Sequence, residues 1–458
     1  MDDYPLCKTI LIFEEGAASG RFLTAQSVAS QDKISKILEG TTSQNLEQTG
    51  NPMKTSELDR RQFLRATLLG STGVLVASSS LLGAGCATAE ASTARNGFIK
   101  RKLGKTGIEL PVVSMGVMRS DNPAVVHAAL KAGIVFFDTA HGYTRGKNEE
   151  MLGDVFKDYP RDSYIVATKV SPEETDQKTG MLGPASTSKA FLDKLDISLS
   201  RLRLEYVDIL YVHNISTRDA ALFPSMLEAV ALAKKSGKVR HVGLSTHKNE
   251  PDVIRAAIES GIYEVVLTSV NFKQDHYLKV KEAIAEAAKA GVGIVAMKTM
   301  AGGFFDKEKK KPVNCKAALK FVLQDENVTT AIPGIVNFDQ LAMNVSVNED
   351  LTLTDRERAD VTLGKAEGGL YCQGCEHCVA RCPKSLPIPD LMRAYMYTYG
   401  YGNLEMAHAL LNDLQRGSNP CSDCASCIAT CVKGFAVSER ISDVSRLMDV
   451  PEEFISRA

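Results

Sequence analysis

Little in this sequence speaks for a charged partner. Fifty-four lysines and arginines stand against 55 aspartates and glutamates, a net charge of −1, so no global field draws in nucleic acid or an acidic membrane. No apolar stretch downstream of residue 90 is long enough to span a bilayer, so no transmembrane span is expected in the mature chain. Most of the chain is also poor in cysteine. Of 11 cysteines, Cys7, Cys86 and Cys315 are scattered, and the rest crowd between Cys372 and Cys431. A disulfide framework would spread its pairs over the fold, so this crowding points to metal.

What is present begins with Phe136-Phe137-Asp138-Thr139-Ala140-His141-Gly142-Tyr143. A β-branched and aromatic run ends on a carboxylate, and a tyrosine follows across a Gly-containing loop. A buried strand that delivers an acid and a phenol to its C-terminal end suits the rim of a barrel enzyme. Read alone, the stretch equally suits an Asp capping the next helix and a Tyr at the core edge.

The surroundings show a rhythm. Lys131-Ala132-Gly133, Lys235-Ser236-Gly237, Glu259-Ser260-Gly261 and Lys289-Ala290-Gly291 each close a helix on a glycine able to take a left-handed cap, with an apolar strand next. Pro123 and Pro251 stand at helix starts, where a missing N–H costs nothing. Phe191, Leu195, Leu199 and Leu202 mark one helix face. Strands are expected at 112–115, 135–138, 164–169, 207–213, 239–244, 265–270, 294–298 and 329–332. Eight strands alternating with helices predict an α/β fold, a closed (β/α)8 TIM barrel over 97–350. Continuous apolar strands fit a sheet covered on both faces. A doubly wound open sheet is the alternative, but no Gly-x-Gly-x-x-Gly turn follows an early strand. The length of 458 residues leaves room for a further unit.

Asp138 and Tyr143 follow the second strand, Lys169 ends the third and His213 the fourth, so all four would face one mouth. A buried lysine and aspartate are tolerated when paired. With Asn148-Glu149, Leu152-Gly153, Gly243-Leu244-Ser245 and Ile332-Pro333-Gly334, this text resembles the aldo/keto reductase family over roughly 98–345. The resemblance implies Tyr143 as proton donor, Lys169 and Asp138 as its tuning pair, His213 as orienter of a substrate carbonyl, and NADP(H) or NAD(H) as cofactor. A tyrosine titrates near about 10, so a nearby cation that lowers this value helps a proton donor. The family's usual Ser-Asn pair at the nicotinamide amide is here Ser245-Thr246, and the strand at 265–268 offers no glutamine. No Arg or Lys stands just after Ile332-Pro333-Gly334 to grip a 2′-phosphate. Gln340 and Asn344 match the adenine-side helix pattern, and Lys298, Gly302 and Gly303 suit either a phosphate-cradling loop or a simple turn.

The tail, 365–458, carries Cys372-x-x-Cys375-x-x-Cys378-x-x-x-Cys382-Pro383 and a second run, Cys421-x-x-Cys424-x-x-Cys427-x-x-x-Cys431. This is the run of bacterial ferredoxins, in which the fourth cysteine serves the other cluster. It predicts a small, mainly helical iron–sulfur domain. One [4Fe–4S] cluster is expected on Cys372, Cys375, Cys378 and Cys431, and another on Cys421, Cys424, Cys427 and Cys382. Zinc usually takes two separated pairs. One helical segment is expected over about 390–414, His377 as exposed filler, and Cys315 as a small buried hydrophobe.

At the other end, Arg60-Arg61-Gln62-Phe63-Leu64-Arg65, a mildly apolar run from Ala66 to Gly85 and Ala87-Thr88-Ala89 resemble a twin-arginine export signal over 53–90. A buried Ala/Leu helix is the plainer reading, against which the run's glycines argue. Leu82-Gly83-Ala84-Gly85-Cys86 faintly resembles a lipoprotein site. Residues 1–52 show no period and read as an unstructured extension upstream of a start at Met53. Export would place the protein in the periplasm or at the outer face of the cytoplasmic membrane, and an unused signal in the cytoplasm.

Two functions follow. One is an oxidoreductase acting on a small carbonyl or alcohol, with an appended electron-transfer module and a redox partner protein. The other is a non-catalytic relay or partner-binding protein whose barrel has lost nicotinamide binding. No flavin motif joins hydride chemistry to one-electron clusters.

Overall fold

The computed structural model describes residues 97–455. The expected extension, export signal and start at Met53 lie outside the described residues. A two-stranded antiparallel ribbon, β1 (Lys100–Lys102) and β2 (Glu109–Pro111), precedes eight strands. These are β3 (Met115–Gly116), β4 (Phe136–Asp138), β5 (Ile165–Val170), β6 (Val207–Val212), β7 (Val239–Thr246), β8 (Val265–Ser269), β9 (Gly293–Met297) and β10 (Thr330–Ala331). They pair in parallel in chain order. The first and last meet through parallel bridges at Val113–Ala331 and Gly116–Gly334, with the Ala331 N–H on the Val112 carbonyl at 2.9 Å. The ring is a TIM-like barrel. Its expected first strand, 112–115, is displaced toward Met115–Gly116 because the preceding residues are spent on this closure.

The strands are largely apolar; every residue of β6 and β8 is buried, including Asp208, which pairs with Arg161 at 2.6 Å. Their outward side chains join a core with the surrounding helices, including Phe191, Leu195, Leu199 and Leu202 of the helix Ser188–Leu202. The inward set (Phe136, Ile209, Tyr211, Leu267, Val295) packs on Leu103 and Leu110 of the ribbon, which plugs the bottom of the barrel. The barrel interior is thus filled.

Beyond the barrel, the helix Asp355–Ala366 starts with a capping box between Thr354 and Glu357. It ends near the Lys273 ammonium, which takes the Gly364 carbonyl at 2.8 Å and that of Gly368 at 3.0 Å. A cation there suits the negative end of the helix. The helices Ile388–Tyr395, Leu404–Leu414 and Val437–Ser445 follow. Their core (Leu370, Leu391, Met392, Leu411, Ile441) is continuous with barrel-side Phe272, Ala301 and Ala317. The single helical segment expected over 390–414 is in fact broken. A π-helical turn, Met396–Tyr401, ends in left-handed Gly402 (φ 66°) and separates two helices. Close packing accounts for the break: a Cβ on Gly400 would stand 2.6 Å from the Gly302 carbonyl oxygen.

Candidate active site

Three strand ends put four polar side chains together. The Lys169 ammonium donates to a carboxylate oxygen of Asp138, to the Thr139 carbonyl at 2.6 Å and to the Tyr143 hydroxyl at 3.2 Å. It also lies 4.8 Å from the Tyr143 ring centroid. His213 meets the Tyr143 ring edge-on at 6.2 Å. Asp138, Lys169 and Tyr143 are all buried. The four side chains expected at one rim therefore line one cavity.

The arrangement is braced from outside. Thr139 donates to the Asn148 side chain at 2.6 Å, and Asn148 in turn donates to the Val117 and Ser120 carbonyls. Thr168, next to Lys169, donates to buried Glu149 at 2.6 Å, and Arg201 lies 3.3 Å from the other Glu149 oxygen. Asn148 and Glu149 thereby fix the residues adjoining Asp138 and Lys169. Immediately after Tyr143, Thr144 (φ 45°) and Arg145 (φ 53°) hold left-handed conformations. Such conformations persist where the surroundings over-determine them.

Electrostatics set the protonation states. Burial pushes Asp138 up and Lys169 down, and their ion pair opposes both shifts. The lowering expected for Tyr143 is not found. Burial, then the Asp138 charge, raise it well above its ordinary value, because the Lys169 charge is largely committed to Asp138. Tyr143 therefore keeps its proton, as a donor must. Burial and the cations Lys169, Arg393 and Lys298 bring His213 to about 3, so it is a neutral imidazole.

The cavity, about 420 Å³, extends from this corner past Lys298, Gly302 and Gly303 to Gln340 and Asn344, within the range of small-molecule sites. Five of the seven expected cofactor contacts thus share one space. Ser245 and Thr246 do not: both are fully buried, with Ser245 accepting the Asn214 N–H at 2.9 Å and Thr246 donating to the Lys248 carbonyl at 2.8 Å. His247 faces the cavity instead. Cys315, expected as a plain core residue, is part-exposed and lines the wall. Also missed were Arg119, which stacks 5.4 Å from the Tyr401 ring centroid, Lys309, and the tail's Tyr397, Gly400, Tyr401 and Met406, which cover the mouth. Asn344 keeps a buried side-chain oxygen without a partner, and half-buried Arg119 lines the same cavity. An orphaned acceptor and a guanidinium stacked on a tyrosine in one channel fit a nucleotide.

The tail cysteines fall into two groups. Cys372, Cys375, Cys378 and Cys431 line a common small space. Cys421 feels the charges of Cys424, Cys427 and Cys382. Burial first, then neighbouring cysteines, push Cys372 up to about 12 and Cys378 to about 11. Among the described residues no three His, Cys, Asp or Glu converge tightly enough for a single metal ion. His377 is exposed.

Residues 113–317 match the model of the aldo/keto reductase family. Similar proteins include L-glyceraldehyde 3-phosphate reductase of Escherichia coli (strain K12), 25% identical over 327 residues, covering 59% of this chain and 93% of that protein. L-galactose dehydrogenase of Arabidopsis thaliana is 25% identical over 289 residues, 55% of this chain and 88% of its own. An aldo-keto reductase structure from Bacillus halodurans (holo form) covers 60% of this chain and 99% of its own, at 24% identity and a TM-score of 0.49. The barrel segment is thus similar to aldo/keto reductases, and the chain is an oxidoreductase.

Proposed function

We propose that the barrel reduces a small carbonyl, or oxidises the matching alcohol, with a nicotinamide cofactor. The observation that carries this reading is the meeting of Tyr143, Lys169, Asp138 and His213 at one wall of the cavity. Tyr143 gives its proton to the carbonyl oxygen as negative charge develops there. Lys169, held by Asp138, stabilises the tyrosinate left behind. Neutral His213 donates a hydrogen bond that orients the carbonyl. A bound reduced nicotinamide would supply the hydride; Lys298, Gly302, Gly303, Gln340 and Asn344, with Arg119, would hold it. Relatives named for glyceraldehyde 3-phosphate and for galactose favour a hydroxylated substrate.

The tail would hold two [4Fe–4S] clusters, on Cys372, Cys375, Cys378 and Cys431 and on Cys421, Cys424, Cys427 and Cys382, which carry single electrons to or from a redox partner protein. Export by the twin-arginine route suits a protein folded around such groups before it leaves the cell. Tyr143→Phe is expected to lower kcat at least about 100-fold while the circular dichroism spectrum is unchanged. Full retained activity would remove Tyr143 from the reaction.

A second reading, an electron relay without nicotinamide, is favoured by the withdrawal of Ser245 and Thr246 and by the tail's cover over Gly302. Fluorescence titration with NADPH and NADH separates the two: saturable binding supports the reductase. Absent binding, with reducible clusters, supports the relay.

A further inference from the structure

The π-helical turn of the tail carries a second phenol into the barrel's cavity. Tyr397 is buried, with its hydroxyl 3.2 Å from the Lys298 ammonium and its ring centroid 4.8 Å from the same nitrogen. Lys298 holds this pose from a left-handed backbone (φ 55°) just past the end of β9. Arg393, on the helix before the turn, also faces Tyr397 and is itself paired with Asp390 at 2.8 Å. Tyr143 and Lys169 are near enough across the cavity to feel the Tyr397 charge. His213 and His247 on the same side are held neutral by burial and the surrounding cations.

Donors dominate the rest of the wall. Arg119, Lys169, Lys298 and Lys309 point cations into or along it, and Tyr143 keeps its proton. One Asp138 carboxylate oxygen is taken by Lys169, and the other is buried without a hydrogen-bond partner. Tyr397, held by Lys298 close to the reaction corner, is one of the acceptors on this wall, beside the orphaned Asn344 oxygen, the neutral imidazoles and the Thr299 and Tyr401 hydroxyls. We propose that Tyr397, held by Lys298, is the specificity-determining residue of the cavity, accepting a hydrogen bond from a hydroxyl on the carbon next to the carbonyl. The substrate class is then the α-hydroxy aldehydes and ketones.

The two phenols divide the work because their surroundings differ. Burial works on both, but Lys298 and Arg393 bring Tyr397 below its ordinary value against that burial, whereas Tyr143 is driven upward. Divergent environments of like groups mark divergent roles. A phenol leaning toward its anion accepts from a neutral hydroxyl, and a substrate lacking that hydroxyl leaves the acceptor without its partner.

This inference rests on the carbonyl-reductase reading, and its test keeps the two apart. The full chain with its cofactors is assayed with NADPH on lactaldehyde and on propanal, which share a carbon skeleton. The wild type is expected to favour lactaldehyde in kcat/KM by about 10–100-fold. Tyr397→Phe is expected to shrink that ratio at least about tenfold, and Lys298→Arg to keep more of it than Lys298→Met. Difference absorbance in the tyrosinate band is followed against pH in the same proteins, with and without each aldehyde. The wild type is expected to show an early tyrosinate, absent in Tyr397→Phe, whose band shifts with lactaldehyde and not with propanal. That shift in a protein that turns over neither aldehyde would remove the reductase reading and leave the recognition role standing. An unchanged ratio in Tyr397→Phe, or an equal fall on both aldehydes, would overturn the proposal and leave Tyr397 as packing. An early tyrosinate that survives the Tyr397→Phe change would overturn it too.

Discussion

The cavity has two lysine–tyrosine corners, and they are built differently. Around Lys169, every partner comes from the barrel: Asp138, Thr139 and Tyr143, within 31 residues of one another in sequence, with Asn148, Glu149 and Arg201 behind them. Around Lys298, the partner is Tyr397, 99 residues downstream on the tail. The first corner centres on a buried ion pair and needs no second domain. The second has its lysine in the barrel and its phenol outside it, so its state depends on docking. A barrel can thus keep its chemistry fixed while an appended segment resets what the cavity accepts.

The largest break in this contrast is expected at the first corner. Lys169→Met leaves Asp138 buried without its cation, which costs about 3–5 kcal/mol and should abolish turnover; chemical denaturation and a carbonyl-reduction assay read the two losses. Adding Asp138→Leu should restore part of the stability and none of the activity, because an apolar pair of similar volume tolerates burial where a lone carboxylate does not. Recovery of activity in the double variant would show that the pair is structural alone.

A smaller effect is expected where tail meets barrel. Gly400→Ala places a methyl 2.6 Å from the Gly302 oxygen and 3.2 Å from Leu370. Overpacking of this kind costs about 1–3 kcal/mol. Hydrogen exchange should quicken over Met396–Tyr401 and stay slow in β4, β5 and β6. If protection fell equally in those strands, the two corners would be one cooperative unit.

These two corners also explain how far the sequence could be read. The helix-ending glycines and unbroken apolar strands made the barrel legible, because closed parallel sheets impose that pattern locally. Asp138, Tyr143, Lys169 and His213 were legible because strand ends fix where they point. The bracing roles of Asn148 and Glu149 were not, although both stood within the matched text, since a buried carboxylate and amide reveal their partners only in three dimensions. Ser245 and Thr246 were misplaced for a related reason: the turn that follows β7 brings His247 to the cavity and ties their hydroxyls to backbone. Tyr397 had no signal at all. Nothing in a run of Tyr, Thr and Gly announces a π-helical turn, and its partner lies a domain away.

The smallest expected effect tests whether polar contacts hold the tail in place. The Lys248 ammonium meets Glu376, beside Cys375, with side chains 22% and 45% exposed. A half-exposed pair contributes under about 1 kcal/mol. The core behind it, in which Leu370, Leu391 and Met392 are nearly inaccessible and Phe272 and Ala317 come from the barrel side, holds far more apolar surface out of water. Docking should therefore be hydrophobic first and ionic second. A double-mutant cycle of Lys248→Ala and Glu376→Ala, read by denaturation in low and high salt, is expected to give a coupling below about 1 kcal/mol that fades with salt. A coupling several-fold larger and indifferent to salt would mean that this contact positions the first cysteine group against the barrel, and the apolar core would no longer suffice to explain the junction.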